Sequence, residues 1–219
     1  MGRARNSEGD CRKTLTAFIQ ATREIMSTEG IEHVSIRKIA SLLYYNSATI
    51  YLYFKNVDEL INLASVSFLE QYCRALAADM SLMKEPLAAY MHTWGLFCKY
   101  AFTYPQVFYR LFFTKNKIPL EDTIDKYYEL YPEQLADISG SIYDMLKGGS
   151  LKQRCDVVIA PLADAGLVSR EHTDMINDMS ICYFRKLLEE RCARPDDDAL
   201  GPELTEKFIH VLHLLLKLK

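Results

Sequence analysis

Glycine and proline are scarce in this 219-residue chain, at nine and seven residues, and no Val/Thr-rich alternating run bounded by turn signals occurs. The missing period-two pattern excludes an all-β design and points to an all-α fold. No stretch approaches ~18 uncharged apolar residues, the length a membrane-spanning helix needs. Met1 to Asp10 is polar and lacks the apolar run of a signal peptide. No Cys-x-x-Cys pair occurs among the six cysteines, Cys11, Cys73, Cys98, Cys155, Cys182 and Cys192. Scattered thiols in a reducing compartment fit better than disulfides or zinc, so the expectation is a cytoplasmic protein. Nucleophile motifs, glycine-rich phosphate loops and acid pairs in a convincing context are also missing, which argues against an enzyme and implies no cofactor.

What is present is ordinary globular composition, 49% hydrophobic and 25% charged, which excludes extended disorder. The net charge of −3 hides an asymmetry. Residues 1–55 hold eight Lys/Arg against five Asp/Glu, whereas the remainder holds eighteen against twenty-four. A mildly basic head on an acidic body keeps nucleic acid open as a partner.

Apolar residues recur at three- and four-residue steps along most of the chain. Leu15, Phe18, Ile19, Thr22, Ile25 and Met26 give one helix face over about Arg12 to Glu29, with Gly30 as the stop. Ser35 caps a short second helix carrying Ile36, Ile39, Ala40 and Leu43 inward. After a break at Tyr44–Tyr45, Asn46 caps a third short helix, Ser47 to Phe54. Asn56 with Glu59 reads as a capping box opening a longer helix, whose buried stripe is Val57, Leu60, Ile61, Ala64, Phe68 and Tyr72. Further helices follow with short breaks: from Pro86 to about Tyr104, from Pro105 to about Thr114, one through Tyr127 and Tyr128, and Glu133 to Lys147. The last three start at Ser150, at Ser169 and at Glu203. The Asp196–Asp198 run reads as a solvated loop. The division expected is a head at 1–56 and a body at 57–219.

Two short helices joined by a tight turn and braced by a third make a helix-turn-helix, whose second helix lies in the DNA major groove. Ile50 and Phe54, four apart, face the head. Ser47, Thr49, Tyr51 and Tyr53 point hydroxyls and ring edges outward. Thr49 can offer a methyl to thymine, Lys55 a charge to phosphate, and Arg37 a guanidinium to guanine. The competing reading for Tyr51 and Tyr53 is packing against the head's core, and for Arg37 and Lys38 a solvated surface.

The run Val34-Ser35-Ile36-Arg37-Lys38-Ile39-Ala40, followed by Ala48-Thr49-Ile50-Tyr51-Leu52-Tyr53-Phe54-Lys55-Asn56 and Glu59-Leu60, resembles the TetR family of bacterial regulators over roughly residues 12–62. The resemblance implies a homodimer with one DNA-reading head per subunit, a small-molecule cavity in the body, and a dimer interface of the last two long helices. Most members are repressors released from a palindromic operator on double-stranded DNA by their ligand. Carried over by position, it assigns DNA contact to Ser35, Arg37, Asn46, Ser47, Thr49, Tyr51, Tyr53 and Lys55. One departure stands out: Tyr44 and Tyr45 occupy the turn where the family usually has glycine and a small aliphatic residue. A bulky residue at positive φ is strained, so a remodelled turn is expected.

The body is dense in aromatic residues. At helical spacing each one alone reads as core; as a group, Trp94, Phe97, Tyr104, Phe108, Phe112, Tyr128 and Tyr143 are the candidates to line a cavity for a hydrophobic or aromatic effector. His210 and His213 lie three apart, but no neighbouring Cys, Asp or Glu completes a ligand set, so a dimer seam is preferred to a metal pair. The alternative to an effector sensor is an adaptor that keeps the head and uses a solid body to bind another protein.

Overall fold

In the computed structural model, the structure describes residues 8–80, 84–115, 117–136, 138 and 140–217. Eleven α-helices and three short 3₁₀ turns make up the described residues, and no strand occurs among them. Helix α1 (Glu8–Thr28) turns the predicted stripe inward: Phe18, Ile19, Thr22, Ile25 and Met26 are buried and Leu15 packs against them. Gly30 stops the chain with φ 103, a backbone that only glycine adopts without strain, and its N–H bonds the Ile25 carbonyl at 3.2 Å. A 3₁₀ turn at Ile31–His33 leads into α2 (Ile36–Leu42). Next come α3 (Ser47–Ile50) and the long α4 (Val57–Met80).

The body continues with α5 (Pro86–Thr103) and α6 (Pro105–Phe113). Each begins on a proline, whose missing N–H is one of the donors a helix start leaves unpaired. Then follow α7 (Leu120–Leu130), α8 (Gly140–Lys147) and α9 (Leu151–Asp164). Last are α10 (Thr173–Ala193) and α11 (Leu200–Leu215). Two expected boundaries are corrected. The helix read over Glu133–Lys147 is a 3₁₀ turn at Pro132–Leu135 followed by α8, which starts only at Gly140. Ser169 does not cap α10; a 3₁₀ turn, Arg170–His172, intervenes, and the Ser169 side chain makes no capping bond. Ser150 does cap α9, accepting from the Gln153 N–H at 3.2 Å. That helix runs through Pro161 in its last turn, at the cost of the one bond its missing N–H would have made to the Val157 carbonyl.

Helix α4 is the axis of the molecule. Helices α1, α5, α6, α7 and α8 all pack on it. Its sequence reads as a stripe, yet it is buried almost all round: Asn62, Ser65, Ser67 and Glu70 are buried alongside Leu60, Ala64 and Phe68. The serines tolerate this because each hydroxyl donates to a carbonyl of its own helix, Ser65 to Ile61 at 2.8 Å and Ser67 to Ala64 at 2.6 Å. One apolar core runs without a break from Phe18 and Ile50 to Phe208. Phe184 of α10 is ringed by Trp94, Phe97, Phe102 and Phe208, with centroids 5.0–5.9 Å away; the Phe102 pair is stacked and the others are tilted or edge-on, arrangements that aromatic quadrupoles favour. Among the described residues, no helix is long and apolar enough to cross a membrane.

Candidate DNA-reading head and body cavity

The head is assembled around Phe18. The rings of Tyr45, Tyr53 and Phe54 stand 5.2, 5.9 and 6.3 Å from it, and Ile39 and Ile50 are fully buried beside them. Both short helices carry the predicted caps. Ser35 Oγ accepts from the Lys38 N–H at 3.3 Å, and Asn46 Oδ1 accepts from the Ala48 N–H at 2.9 Å. These bonds satisfy backbone donors that a helix start leaves open. Ser35 and Asn46 therefore have a structural task in addition to any ligand contact.

The turn between the helices departs from expectation. It is not remodelled: Tyr44 takes the left-handed conformation itself, at φ 57. The Tyr44 N–H bonds the Ser41 carbonyl at 3.3 Å and the Tyr45 N–H bonds the Ala40 carbonyl at 2.9 Å, the paired bonds of a Schellman helix end. Tyrosine thus stands where such an end favours glycine. Its side chain is 99% exposed, while Tyr45 leans back onto Phe18.

The helix expected over Ser47–Phe54 is shorter. The α-helical part is Ser47–Ile50, and the chain then continues in tight turns, with Leu52 bonded to Thr49 and Tyr53 and Phe54 bonded to the Ile50 carbonyl. Phe54 and Ile50 are buried as read. Of the predicted contact residues, Ser35, Arg37, Asn46, Tyr51 and Lys55 are exposed, and Ser47 and Thr49 are half-buried. Tyr53 is half-buried against Phe18. Tyr51, 59% exposed, and the neighbouring Leu52 stand clear of the surface; Leu52 had no role in the sequence reading. Lys38 is ion-paired to Glu29, the residue just after α1.

Beneath the head, the start of α4 is tied to the body by charged side chains. Asn56 Oδ1 accepts from the Glu59 N–H at 2.9 Å as the predicted capping box requires, but Glu59 reaches back to the Lys55 N–H, at 2.7 Å, rather than to that of Asn56. Lys126 of α7 donates to the other Glu59 oxygen at 2.6 Å. Burial by itself raises the Glu59 pKa, but the Lys126 and Lys55 hydrogen bonds and the two lysine charges outweigh it and hold the group below its usual 4.5. From α6, Arg110 donates to Asn62 and to Asp58, both at 2.8 Å.

Within the body, a cavity lies between α4, α5, α8 and α9. Trp94 and Phe97 line it together with Tyr72, Met145 and Arg154. The space open to water there is ≈ 20 Å³, about what one water molecule needs. Tyr104, Phe108, Phe112, Tyr128 and Tyr143 do not line it. Phe108 is core, Tyr104 packs on Phe68 at 4.7 Å, and Tyr143 is 38% exposed on the outside of α8. Phe112 and Tyr128 instead stand close to Arg154: the guanidinium carbon is 5.5 Å from the Phe112 ring centre, and the buried Tyr128 hydroxyl has no hydrogen-bond partner among the described residues.

Arg154 was not singled out from sequence. The signal existed: it falls three residues after Leu151 and four before Val158, on the apolar face of α9. All six cysteines are free, and among the described residues no three His, Cys, Asp or Glu side chains gather as a metal site.

Residues 18–64 match the model of the family described as bacterial regulatory proteins, tetR family. An uncharacterized HTH-type transcriptional regulator of Haemophilus influenzae is 32% identical over 77 residues, which is 35% of this chain and 41% of that protein. The match therefore spans about two fifths of that relative's length. Two solved structures share the fold over nearly their whole length. The fatty acid degradation regulator FadR from Bacillus halodurans has a TM-score of 0.59 at 15% identity, with 93% of this chain and 98% of that one covered. Thermus thermophilus FadR, a TetR family transcriptional repressor in complex with lauroyl-CoA, has a TM-score of 0.57 at 14% identity, with 94% and 96% covered. The family match thus lies in the head, residues 18–64, which is similar to the bacterial regulatory proteins of the tetR family, and the likeness to the two FadR structures shows the fold of the whole chain.

Proposed function

We propose that the protein is a dimeric, effector-responsive transcriptional repressor, with a DNA-binding head at 1–56 and a sensing and dimerising body at 57–219. The observation that carries the reading is the head itself. Arg37, Tyr51 and Lys55 are exposed on a two-helix unit held rigid by Phe18, Ile39, Ile50 and Phe54. Arg37 and Thr49 supply base contacts, Tyr51 a ring edge, and Ser35, Asn46, Ser47, Tyr53 and Lys55 position the head on the phosphates. Helices α10 and α11 pair two such heads across a palindromic operator, whose half-sites lie ~34–36 Å apart. Their inner faces are spent on the body's own core, but Met175, Met179 and Leu214 stay 41–52% exposed as the apolar remainder a symmetric interface would bury.

Coupling between body and head runs through α6. Phe112 lies against Arg154 at the cavity, and Arg110, on the same helix, holds Asp58 and Asn62 where α4 leaves the head. An effector that shifts α6 changes where α4 holds the head, and so the spacing of the two reading helices. Linkage then requires DNA to weaken effector binding by the same factor. A hydrophobic effector suits the cavity's aromatic walls, and the lauroyl-CoA of the Thermus relative gives one class to test. The small size of the cavity as it stands is the observation that favours the adaptor reading, in which a solid body binds another protein.

The test is a binding titration against the DNA flanking the protein's own gene, with and without acyl-CoA and free aliphatic or aromatic acids. The repressor reading expects specific binding that one of these weakens. Specific binding unmoved by every compound, together with a protein partner captured by the body, would replace it with the adaptor.

A further inference from the structure

Arg154 is the most unusual side chain in the body. It is 3% exposed, and a buried charge without a counter-charge is costly enough that such groups are normally paired. Here the Nη2 donor reaches the Leu146 carbonyl at 2.7 Å, while Nε and Nη1 have no hydrogen-bond partner among the described residues. The thiols and phenols around it do not supply a negative charge, and the Glu70 carboxylate near them is paired to Arg74 at 2.6 Å. Burial pushes the Cys73 thiol up to about 12 and raises Tyr72, Tyr128 and Cys155 further, so all four stay protonated at neutral pH. The Phe112 ring face contributes only the weak attraction of a π-system for a cation. The body therefore holds a guanidinium that keeps unused donors and makes no ion pair among the described residues.

The space in front of it has a direction. The cavity at Arg154 shares Thr93, Met145 and Val158 with a second one of ≈ 50 Å³. The second reaches the exposed residues Ser141 and Pro161 at the seam between α8 and α9. The seam is thus mostly apolar from the surface inward, with the Tyr90 hydroxyl on its wall, and ends on a cation. We propose that Arg154 anchors the carboxylate head of an apolar monoanion, whose hydrocarbon part lies along the α8–α9 seam toward the surface. This rests on the sensor reading above and names the chemistry of that site. One negative charge balances one guanidinium, and Nη2 spends only one of its two hydrogens on Leu146, so a forked pair with the carboxylate can close. Because the charge sits at the inner end, a free acid fits and a bulky charged thioester carrier does not. Helix α8, two turns between Gly140 and the Gly148–Gly149 pair, is the element that moves to admit the chain.

The test uses the purified full-length protein without DNA, titrated calorimetrically with octanoate, 1-octanol and octanoyl-CoA. The expected result is octanoate bound about tenfold or more tighter than 1-octanol, as a hydrogen bond to a charged group warrants, and tighter than octanoyl-CoA. Arg154→Met is expected to erase the preference for octanoate over 1-octanol, and Arg154→Lys to retain part of it. Equal affinity for acid and alcohol, no binding of octanoate, or a preference that survives in Arg154→Met overturns the proposal. The wild-type comparison alone decides the matter if a variant does not fold. Operator binding is measured separately. Octanoate that binds through Arg154 but leaves the DNA complex intact keeps the anchor and rejects the coupling. Octanoyl-CoA that releases DNA from Arg154→Met does the reverse.

Discussion

Replacing Tyr44 by glycine should make the protein more stable, although it removes an aromatic side chain. Tyr44 holds φ 57, a region that costs a residue with a Cβ about 1–2 kcal/mol. Its ring is 99% exposed, so almost no burial is lost. Glycine gives back ~0.4–1 kcal/mol through the greater freedom of the unfolded chain. The net gain is about 0.5–1 kcal/mol, or roughly 1–4 °C in melting temperature for a chain of this size. Tyr44→Ala is the control: it deletes the ring but keeps the Cβ, so its melt should stay close to wild type. Thermal unfolding followed by circular dichroism reads all three. A glycine variant that melts at or below the alanine variant would refute the strain argument. Strain of this kind persists where function uses it, so both variants should lose DNA affinity if the ring reaches the operator, the glycine variant while gaining stability.

Other consequences follow from the same geometry. Ile50→Ala opens a hole under the reading helix and should cost about 2–5 kcal/mol, read as a lower urea midpoint with an unchanged slope. Glu59 has a lowered pKa in the folded protein, so the stability it adds is present above 4.5 and is lost as pH falls through its folded value. The melting gap between wild type and Glu59→Gln should therefore be open at pH 7 and close below pH 4.5; a gap that persists in acid contradicts the assignment. Asp58→Asn weakens the hold of Arg110 on the start of α4. It should leave effector affinity measured without DNA intact while reducing the effector's power to release DNA. Lys55→Ala should weaken DNA binding evenly across sequences and lower the salt slope by about one.

Much of the head was legible in the sequence because its signals are local. Ser35, Asn46 and Asn56 are caps whose partners lie two or three residues on, and Phe18, Ile50 and Phe54 follow helical spacing. The turn was legible only in part. Sequence reveals that Tyr44 stands where glycine is favoured, but whether the chain yields or the turn moves is settled by the two bonds to Ala40 and Ser41. Helix α4 hid its centrality because serine, asparagine and glutamate look solvent-facing until five helices close around them. In the body, the aromatic residues pointed to a core and a cavity alike, and only packing separates Trp94 and Phe97 from Phe108 and Tyr143. The orphaned charge of Arg154 emerges only when α4, α8 and α9 meet, since its lack of an ion pair among the described residues is a property of three elements at once.

The central claim is that residues 35–55 read DNA, and it is tested most directly by fluorescence anisotropy on the fragment flanking the gene, at one fixed salt concentration. Wild type should bind it far more tightly than random-sequence DNA of equal length. Arg37→Ala and Tyr51→Ala should each lose about 1–3 kcal/mol on the specific fragment while keeping the wild-type melting temperature and oligomeric state. Equal affinity for both DNAs, or variants that bind the specific fragment as wild type does, would contradict the account.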